Sequence, residues 1–233
     1  FETGFERLLP SPAIDSLSYK VDEQKVTEAS EATKGYNFLV STHDNSQGPS
    51  YYRWIAEATY YYYLTFDADF IHNPPYGRIP YDNSDVKECW RTKDIPGIFI
   101  ASTEGLLENK IIEAPLHFES QYGDELTFRY RLKVKQLAVT SECYYFWKDM
   151  DKLINRTGGL YETQPFRLQG NIKCSSDPSS TVTGIFEVAG VSETYRYYEK
   201  PEEFPVTGYY CGKIEVGTTD FPWMEVDGGT IIM

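Results

Sequence analysis

Tyrosine is the residue type in this sequence best suited to binding chemistry, because it occurs 20 times among 233 residues. A tyrosine ring that stacks on a ligand or anchors an interface contributes roughly 1–2 kcal/mol. Four tyrosines are candidates for exposed binding residues. Tyr61 and Tyr63 lie in the stretch YYRWIAEATYYYYLTF at 51–66, and Tyr76 and Tyr81 lie in HNPPYGRIPYDNSD at 72–85. The alternative is that the tyrosines only fill a sheet.

Catalytic signatures are missing from the sequence, which has no GxSxG, SxxK, P-loop or GxGxxG pattern and no Cys/His nucleophile motif. We therefore assign no catalytic residue and expect a protein that is not an enzyme. A carboxylate-dependent glycoside hydrolase stays as an alternative, because its two acids can come from any two strands and the chain has 35 Asp and Glu residues.

Metal and cofactor sites are not expected either. The three histidines stand alone, and the four cysteines form no CxxC pair of the kind that structural zinc sites use. The acidic stretches DADF and DNSD lack the spacing of a calcium loop. Four cysteines allow two disulfides or four free thiols, and we name Cys174 with Cys211 as a possible disulfide.

The stretch 51–66 predicts a long strand with one buried face. Every charged residue falls on the odd positions, and side chains on a strand alternate between its two faces. The odd positions include Tyr61 and Tyr63, which are therefore predicted to point away from the core. The even positions are predicted to be core: Tyr52, Trp54, Ala56, Ala58, Tyr60, Tyr62, Leu64 and Phe66.

Residues 126–135 give the most regular alternation in the chain. One predicted face carries Leu126, Phe128, Tyr130, Leu132 and Val134, and the other carries Arg129, Arg131, Lys133 and Lys135. A strand of this kind needs a second sheet to cover its apolar side. We expect the basic side chains to pair with acidic neighbours on adjacent strands rather than to bind an acidic ligand.

The remaining elements are further strands, one helix and one long loop. Thr140 is a suitable N-cap, and apolar residues recur at helical spacing up to Ile154. The Pro- and Gly-rich interval 72–85 is predicted to be irregular. Other strands are predicted at 16–21, 36–42, 95–103, 110–120, 165–174, 181–198 and 208–216, with a polar turn or loop at 23–34.

These elements indicate a mostly β protein, an antiparallel β-sandwich or flattened barrel with one packed amphipathic helix near residues 140–156. We expect residues 1–233 to form a single domain. The net charge of −13 disfavours nucleic acid as a partner, because a polyanion is repelled by such a field. No apolar run approaches the ~20 residues that would span a bilayer.

Several stretches together resemble one family. They are PAIDSL at 12–17, YYRW at 51–54, CW at 89–90, KQLAVTSECYYFWKDM at 135–150, GGLYETQPFRLQGNIKCSSDP at 158–178 and VTGIFEVAGVS at 182–192. In their order and spacing they are similar to the Bacteroidota lipoproteins grouped as domain of unknown function 4249. The resemblance covers nearly the whole chain up to about residue 198.

The resemblance implies an exported protein that is lipid-anchored at an N-terminal cysteine and begins with a small β domain. Neither feature is seen in a sequence that starts at Phe1, so we expect the chain to be the C-terminal part of a longer lipoprotein. The resemblance also implies a place in the outer membrane beside a TonB-dependent nutrient transporter or associated lipoproteins.

In that setting the protein would bind a peptide, a glycan or the transporter itself, without a cofactor. A purely structural surface subunit or adhesin is a further alternative. The resemblance supplies no catalytic residues.

Overall fold

The computed structural model describes residues 1–25, 31–63, 70–73, 77–80, 88–154, 168, 170–177, 179–204, 223–226 and 229–232. Within these residues the first nine strands are β1 (Glu2–Thr3), β2 (Ile14–Lys25), β3 (Ala32–His43), β4 (Tyr51–Tyr63), β5 (Phe70–Asn73), β6 (Gly77–Pro80), β7 (Glu88–Ser102), β8 (Lys110–Ser120) and β9 (Arg129–Ala138). A 3-10 helix at Asp124–Leu126 precedes β9, and helix α1 (Ser141–Ile154) follows it. The later strands are β10 (Ile172–Lys173), β11 (Gly190–Glu199), β12 (Trp223–Val226) and β13 (Gly229–Ile232).

Two antiparallel sheets form a sandwich. One has four strands in the order β11-β9-β4-β7, and the other has three in the order β2-β3-β8. Their inner faces share one core, in which Phe38 and Val40 of the three-stranded sheet meet Trp54 and Leu132 of the four-stranded sheet. The two sheets share no strand among the described residues, so the sandwich is the predicted form that is found. Three two-stranded pairs, β1-β10, β5-β6 and β12-β13, accompany it.

The predicted parity of β4 is confirmed from Tyr52 to Tyr60. The even residues Tyr52, Trp54, Ala56, Ala58 and Tyr60 are all buried in the core between the sheets. The side chains of residues 62–66 lie outside what the structure describes. Because side chains alternate along a strand, the odd residues of β4 lie on the face of the four-stranded sheet that points away from the sandwich, here called the outer face.

The prediction of one continuous strand from 126 to 135 was wrong at its start. The strand begins at Arg129, while Leu126 is buried from the 3-10 helix and Phe128 is 42% exposed. The chain crosses here from β8 in one sheet to β9 in the other, and this crossing interrupts the extended backbone. The alternation of buried and exposed side chains in β9 therefore does not extend back across this crossing. From Tyr130 to Val134 the predicted inward face is confirmed.

Two other predicted elements need correction. The strand predicted at 181–198 begins only at Gly190, because its partner β9 ends at Ala138, the residue that pairs with Gly190. The interval 72–85, predicted to be irregular, contains β6 and the end of β5, which pair as a hairpin. Pro80 is tolerated because it lies at the end of that ladder, where a missing N–H breaks no interior hydrogen bond.

Other predicted boundaries also changed. The loop predicted at 23–34 is shorter, because β2 runs to Lys25 and β3 starts at Ala32. In the region 165–174 the described strand is only Ile172–Lys173. The strand predicted at 208–216 lies outside the described residues.

Helix α1 begins as predicted. The backbone N–H of Cys143 donates to Oγ1 of Thr140 at 3.3 Å, the geometry of an N-cap. Cys143, Tyr144 and Phe146 are buried beneath the helix, whereas Ile154 is 65% exposed. Val139, Cys143 and Tyr144 form a second small core with Tyr51, Ile100, Leu137, Ile185 and Ala189, so the helix packs on the outer face of the four-stranded sheet.

Candidate binding surface

The register of the four strands determines which side chains lie next to each other on the outer face. Rows across the sheet bring together Trp90 with Tyr61, then Thr92 with Thr59, Arg131 and Tyr197, then Asp94 with Glu57, Lys133 and Tyr195, and then Ile55 with Lys135 and Glu193. The next row, Ile100 with Arg53, Leu137 and Val191, belongs to the end that α1 covers. Helix α1 therefore covers one end of the outer face, here called the covered end, and leaves the other end, the open end, uncovered.

An ion pair holds the helix over the covered end. Arg53 donates through Nη2 to Glu187 Oε1 at 2.7 Å and through Nε to Oε2 at 3.2 Å. Trp147 of α1 donates its indole N–H to the same carboxylate at 2.8 Å, and the guanidinium lies 4.6 Å from the Trp147 ring centroid. The two charged side chains are 19% and 12% exposed, so the pair is largely shielded from solvent.

The open end exposes several large aromatic side chains. Trp90 is 52% exposed, Tyr195 61% and Tyr197 50%. We call this surface the open face and define it by six side chains: Tyr61, Trp90, Phe128, Arg131, Tyr195 and Tyr197. Exposed apolar patches on the order of a few hundred Å² are often functional, so this surface is the candidate binding site.

The open face carries two groups of rings. Tyr61 lies 5.2 Å from Trp90 and 5.6 Å from Phe128, measured between ring centroids. Tyr195 and Tyr197 meet edge to face at 5.9 Å on β11. Arg131 lies between the groups, with its Nη2 donating to Thr59 Oγ1 at 2.9 Å and its guanidinium 6.0 Å from the Tyr195 ring.

Of the four predicted binding tyrosines, the structure places only Tyr61 on this surface. Tyr63 ends β4, but its side chain lies outside the described residues, as do Tyr76 and Tyr81 altogether. Sequence reasoning missed Trp90, Phe128, Tyr195 and Tyr197. Their positions depend on which strands are neighbours, and the alternation within one strand does not contain that information.

Among the side chains that the structure describes, the charges at the open end of the outer face balance. Four basic side chains, Arg129, Arg131, Lys133 and Lys135, stand beside four acidic ones, Glu57, Asp94, Glu193 and Glu199. Arg129 contacts Glu199 at 3.0 Å, Lys133 contacts Glu193 at 3.3 Å and Arg131 approaches Glu57 at 3.6 Å. The expected pairing of basic residues with acidic neighbours is thus confirmed for three of the four.

A polar cluster lies between the sheets just inside this end. Lys93 contacts the carboxylates of both Glu119, at 3.9 Å, and Glu125, and Nε2 of His117 lies 2.9 Å from Glu119. Burial disfavours the ionised carboxylate of Glu125, but the hydrogen bond and charge of Lys93 outweigh it and hold its pKa below the usual range. Burial, with Glu119 and Glu125 nearby, raises the pKa of Tyr130, whose hydroxyl has no described hydrogen-bond partner.

The model of the family described as domain of unknown function 4249 matches residues 2–195. The chain belongs to this family. No curated protein and no solved structure matches it. The region matched by the family model contains all of the open face except Tyr197, so the surface belongs to the family domain.

At the opposite end of the sandwich the family domain has a cleft of about 1070 Å³. His43 Nδ1 lies 2.7 Å from Asp15 Oδ1 in its wall, and the Asn109 amide donates to the carbonyl oxygens of Ser46 and Gly48. Asp44 accepts hydrogen bonds from Ser46, Ser50 and Tyr52. Burial opposes its ionisation, but these bonds lower its pKa. Because these polar groups already bind one another, the cleft offers a ligand less than its volume suggests.

Metal ligands, cysteines and membrane-spanning helices can be judged only in the part of the chain that the structure describes. No three His, Cys, Asp or Glu side chains there are grouped to hold a metal ion. Cys143 is a buried free thiol, and the Sγ of Cys174 lies 3.3 Å from Ser176 Oγ. Cys211 lies outside the described residues, so its pairing with Cys174 stays a prediction. None of the described helices is both long enough and apolar enough to cross a bilayer.

Proposed function

We propose that this protein is a non-enzymatic, outer-membrane-associated lipoprotein, accessory to a TonB-dependent nutrient transporter, which binds a ligand or the transporter through the open face. The observation that carries the binding role is the pair of exposed aromatic groups around Arg131. Binding surfaces are enriched in Trp, Tyr and Arg, and these residues contribute most of their energy.

The rigidity of the open face supports a binding role. Its residues stand on paired strands of one sheet, except Phe128, which precedes β9. Aromatic side chains have few rotatable bonds, so little conformational entropy is lost when a partner binds. A preformed surface of this kind favours affinity.

The polar cluster is the observation that bears on the alternative of a glycoside hydrolase, since it brings two carboxylates together. A hydrolase of this class needs one carboxylic acid with a raised pKa to protonate the leaving group. In this cluster Lys93 lowers the pKa of Glu125 instead. Its chemistry therefore favours a structural role for this cluster.

The assignment to the cell envelope rests on the resemblance to this family, which implies an exported lipoprotein beside a TonB-dependent transporter. A purely structural subunit would have no need of a surface with six such side chains, although an adhesin could use it. Isolation of the protein bound to a transporter would favour the accessory role over a structural subunit or an adhesin.

Capture from native outer membrane tests the proposal. The full-length gene product would be cross-linked in cells and purified, as wild type, as the Trp90→Ala/Tyr197→Ala variant and as the control Tyr122→Ala. Tyr122 is 59% exposed and lies outside the open face. We expect a TonB-dependent transporter in near-stoichiometric amount with the wild type and the control, and at least about tenfold less with the double variant if the open face is the contact.

Recovery of the monomer alone, in wild type and variants, would count against the transporter role. Equal capture of the transporter by all three proteins would support the transporter role but would show that the open face is not the contact.

A further inference from the structure

The size of the open face restricts what can bind there. Four strands spaced about 4.8 Å apart give a width of roughly 20 Å, and the seven residues from Ile55 to Tyr61 give a length of roughly 20 Å. The area is on the order of 400 Å², about half of the ~800 Å² that each partner contributes to a stable protein interface. A ligand smaller than a folded protein therefore fits this surface better.

Charge restricts the ligand further. The four basic and four acidic side chains that the structure describes at the open end cancel, and three basic residues contact carboxylates of their own sheet. A strongly charged ligand would have to break these pairs and would also meet the field of a chain with net charge −13. The balance of charge complements an uncharged ligand.

The pattern of rings and polar groups suggests the chemistry of that ligand. Tyr61 on β4 and Tyr197 on β11 are two strand spacings apart, so the aromatic groups are separated by roughly 10 Å. Between them, Arg131 on β9 offers hydrogen-bonding groups in the same row as Tyr197. A pyranose ring presents an apolar C–H face for stacking and a rim of hydroxyls for hydrogen bonds, and a chain of such rings repeats both features.

We infer that the open face binds an uncharged oligosaccharide, stacked on Trp90 and Tyr61 at one end and on Tyr195 and Tyr197 at the other, with hydroxyls bound by Arg131. The inference rests on the proposed binding function and names its ligand class. Among the side chains of a short peptide, proline has an apolar ring that can stack on aromatic groups, but it has no hydroxyls for Arg131, so the oligosaccharide is favoured.

Binding measurements with defined probes test this inference. The purified chain would be titrated with neutral hexasaccharides (cellohexaose, xylohexaose, mannohexaose and maltohexaose) and with hexagalacturonate as a charged comparison, by calorimetry and tryptophan fluorescence. We expect at least one neutral hexasaccharide to bind and hexagalacturonate to bind at least about tenfold more weakly. Trp90→Ala and Tyr197→Ala should each weaken binding about tenfold or more, and Tyr122→Ala should leave it unchanged.

Circular dichroism and thermal unfolding of each variant would confirm that it is folded. Binding of no neutral hexasaccharide, or binding that survives both Trp90→Ala and Tyr197→Ala, overturns the inference. If at the same time a transporter is captured through the open face, the proposed function stands with a protein as its ligand. If a hexasaccharide binds as expected but no transporter is captured, the ligand class stands and the transporter role fails.

Discussion

Gln136 helps to attach the N-terminal segment to the four-stranded sheet. Its side chain is fully buried, accepts a hydrogen bond from the Trp54 indole at 3.0 Å and donates to the carbonyl oxygen of Pro12 at 2.9 Å. Ser192 Oγ donates to the same carbonyl. One amide thus joins the inward face of β4 to the segment that leads into β2.

Replacing this amide should be costly. Gln136→Leu keeps most of the volume but leaves the Trp54 N–H without its acceptor inside the core, and each unsatisfied buried group costs about 1–3 kcal/mol. We expect the free energy of unfolding to fall by about 2–4 kcal/mol, measured by urea titration followed by tryptophan fluorescence. The matched change Gln24→Leu, on a partly exposed strand position, should stay within about 0.5 kcal/mol. A loss below about 0.5 kcal/mol for Gln136→Leu would show that water or a local shift replaces the amide.

At the residue scale, sequence reasoning predicted orientation better than location. Alternation along β4 predicted that Trp54 and Tyr60 are buried and that Tyr61 is not. It could not identify Trp90 as the neighbour of Tyr61, because that contact depends on the register of β4 against β7. Nor could it predict the role of Gln136, a polar residue at an inward position, whose partners come from distant segments.

Helix α1 shows how an element with a modest apolar stripe is held in place. The largely shielded pair of Arg53 and Glu187, joined by Trp147, connects β4, the segment before β11 and the helix. Arg129 and Glu199 form a second Arg–Glu pair on the same sheet, but their side chains are 55% and 67% exposed. The two pairs form a natural comparison.

Replacing Glu187 should therefore lower the free energy of unfolding more than replacing Glu199. Glu187→Ala leaves the Arg53 guanidinium and the Trp147 N–H without an acceptor, and we expect a loss of about 2–3 kcal/mol, below the 3–5 kcal/mol of a fully buried pair because some solvent reaches it. Glu199→Ala should cost less than about 0.5 kcal/mol. Urea unfolding gives both values, and limited proteolysis should show earlier cleavage near α1 in Glu187→Ala only. Equal losses in the two variants would contradict the assigned role.

Elements were predicted well where one local pattern decides them. The N-cap at Thr140 and the alternation of β9 after Arg129 are examples. Errors arose where the chain changes sheet, as at Phe128, and where a strand loses its partner, as before Gly190. In both cases the tertiary arrangement limits a local preference for extended backbone.

For the whole molecule, the fold class followed from the sequence. Apolar residues at every second position of a strand form one apolar face, and a second layer must cover that face. The sandwich confirms this expectation. The open face could not be predicted in the same way, because it is assembled from four strands that are far apart in the chain. Function stays a proposal for the same reason, since it depends on that surface and on the family rather than on a local motif.

The polar cluster of Lys93, Glu119, Glu125 and His117 joins the two layers of the sandwich. Lys93 stands on β7 of the four-stranded sheet, Glu119 on β8 of the other sheet and Glu125 in the 3-10 helix between them. The folded pKa of Glu125 is lowered, so its contribution is complete above the unfolded pKa of about 4.3 and is lost as pH falls through the folded value. Burial opposes the charge of Lys93, but Glu125 and Glu119 raise its pKa, so its contribution is present at neutral pH and lost only in strong alkali.

Lys93→Met should consequently weaken the sandwich at neutral pH and much less in acid. The variant leaves the carboxylates of Glu119 and Glu125, which are 12% and 18% exposed, without Lys93. We expect a loss of about 1–2 kcal/mol at pH 7, discounted because Lys93 is 34% exposed. In the variant Lys93 no longer lowers the pKa of Glu125, so near pH 3 that carboxyl is largely protonated and the difference from wild type should shrink. Urea unfolding at both pH values measures this, with Lys152→Met, which breaks an exposed helix pair with Asp149, as the control. A difference that is independent of pH would mean that Lys93 acts through packing of its aliphatic chain rather than through its charge.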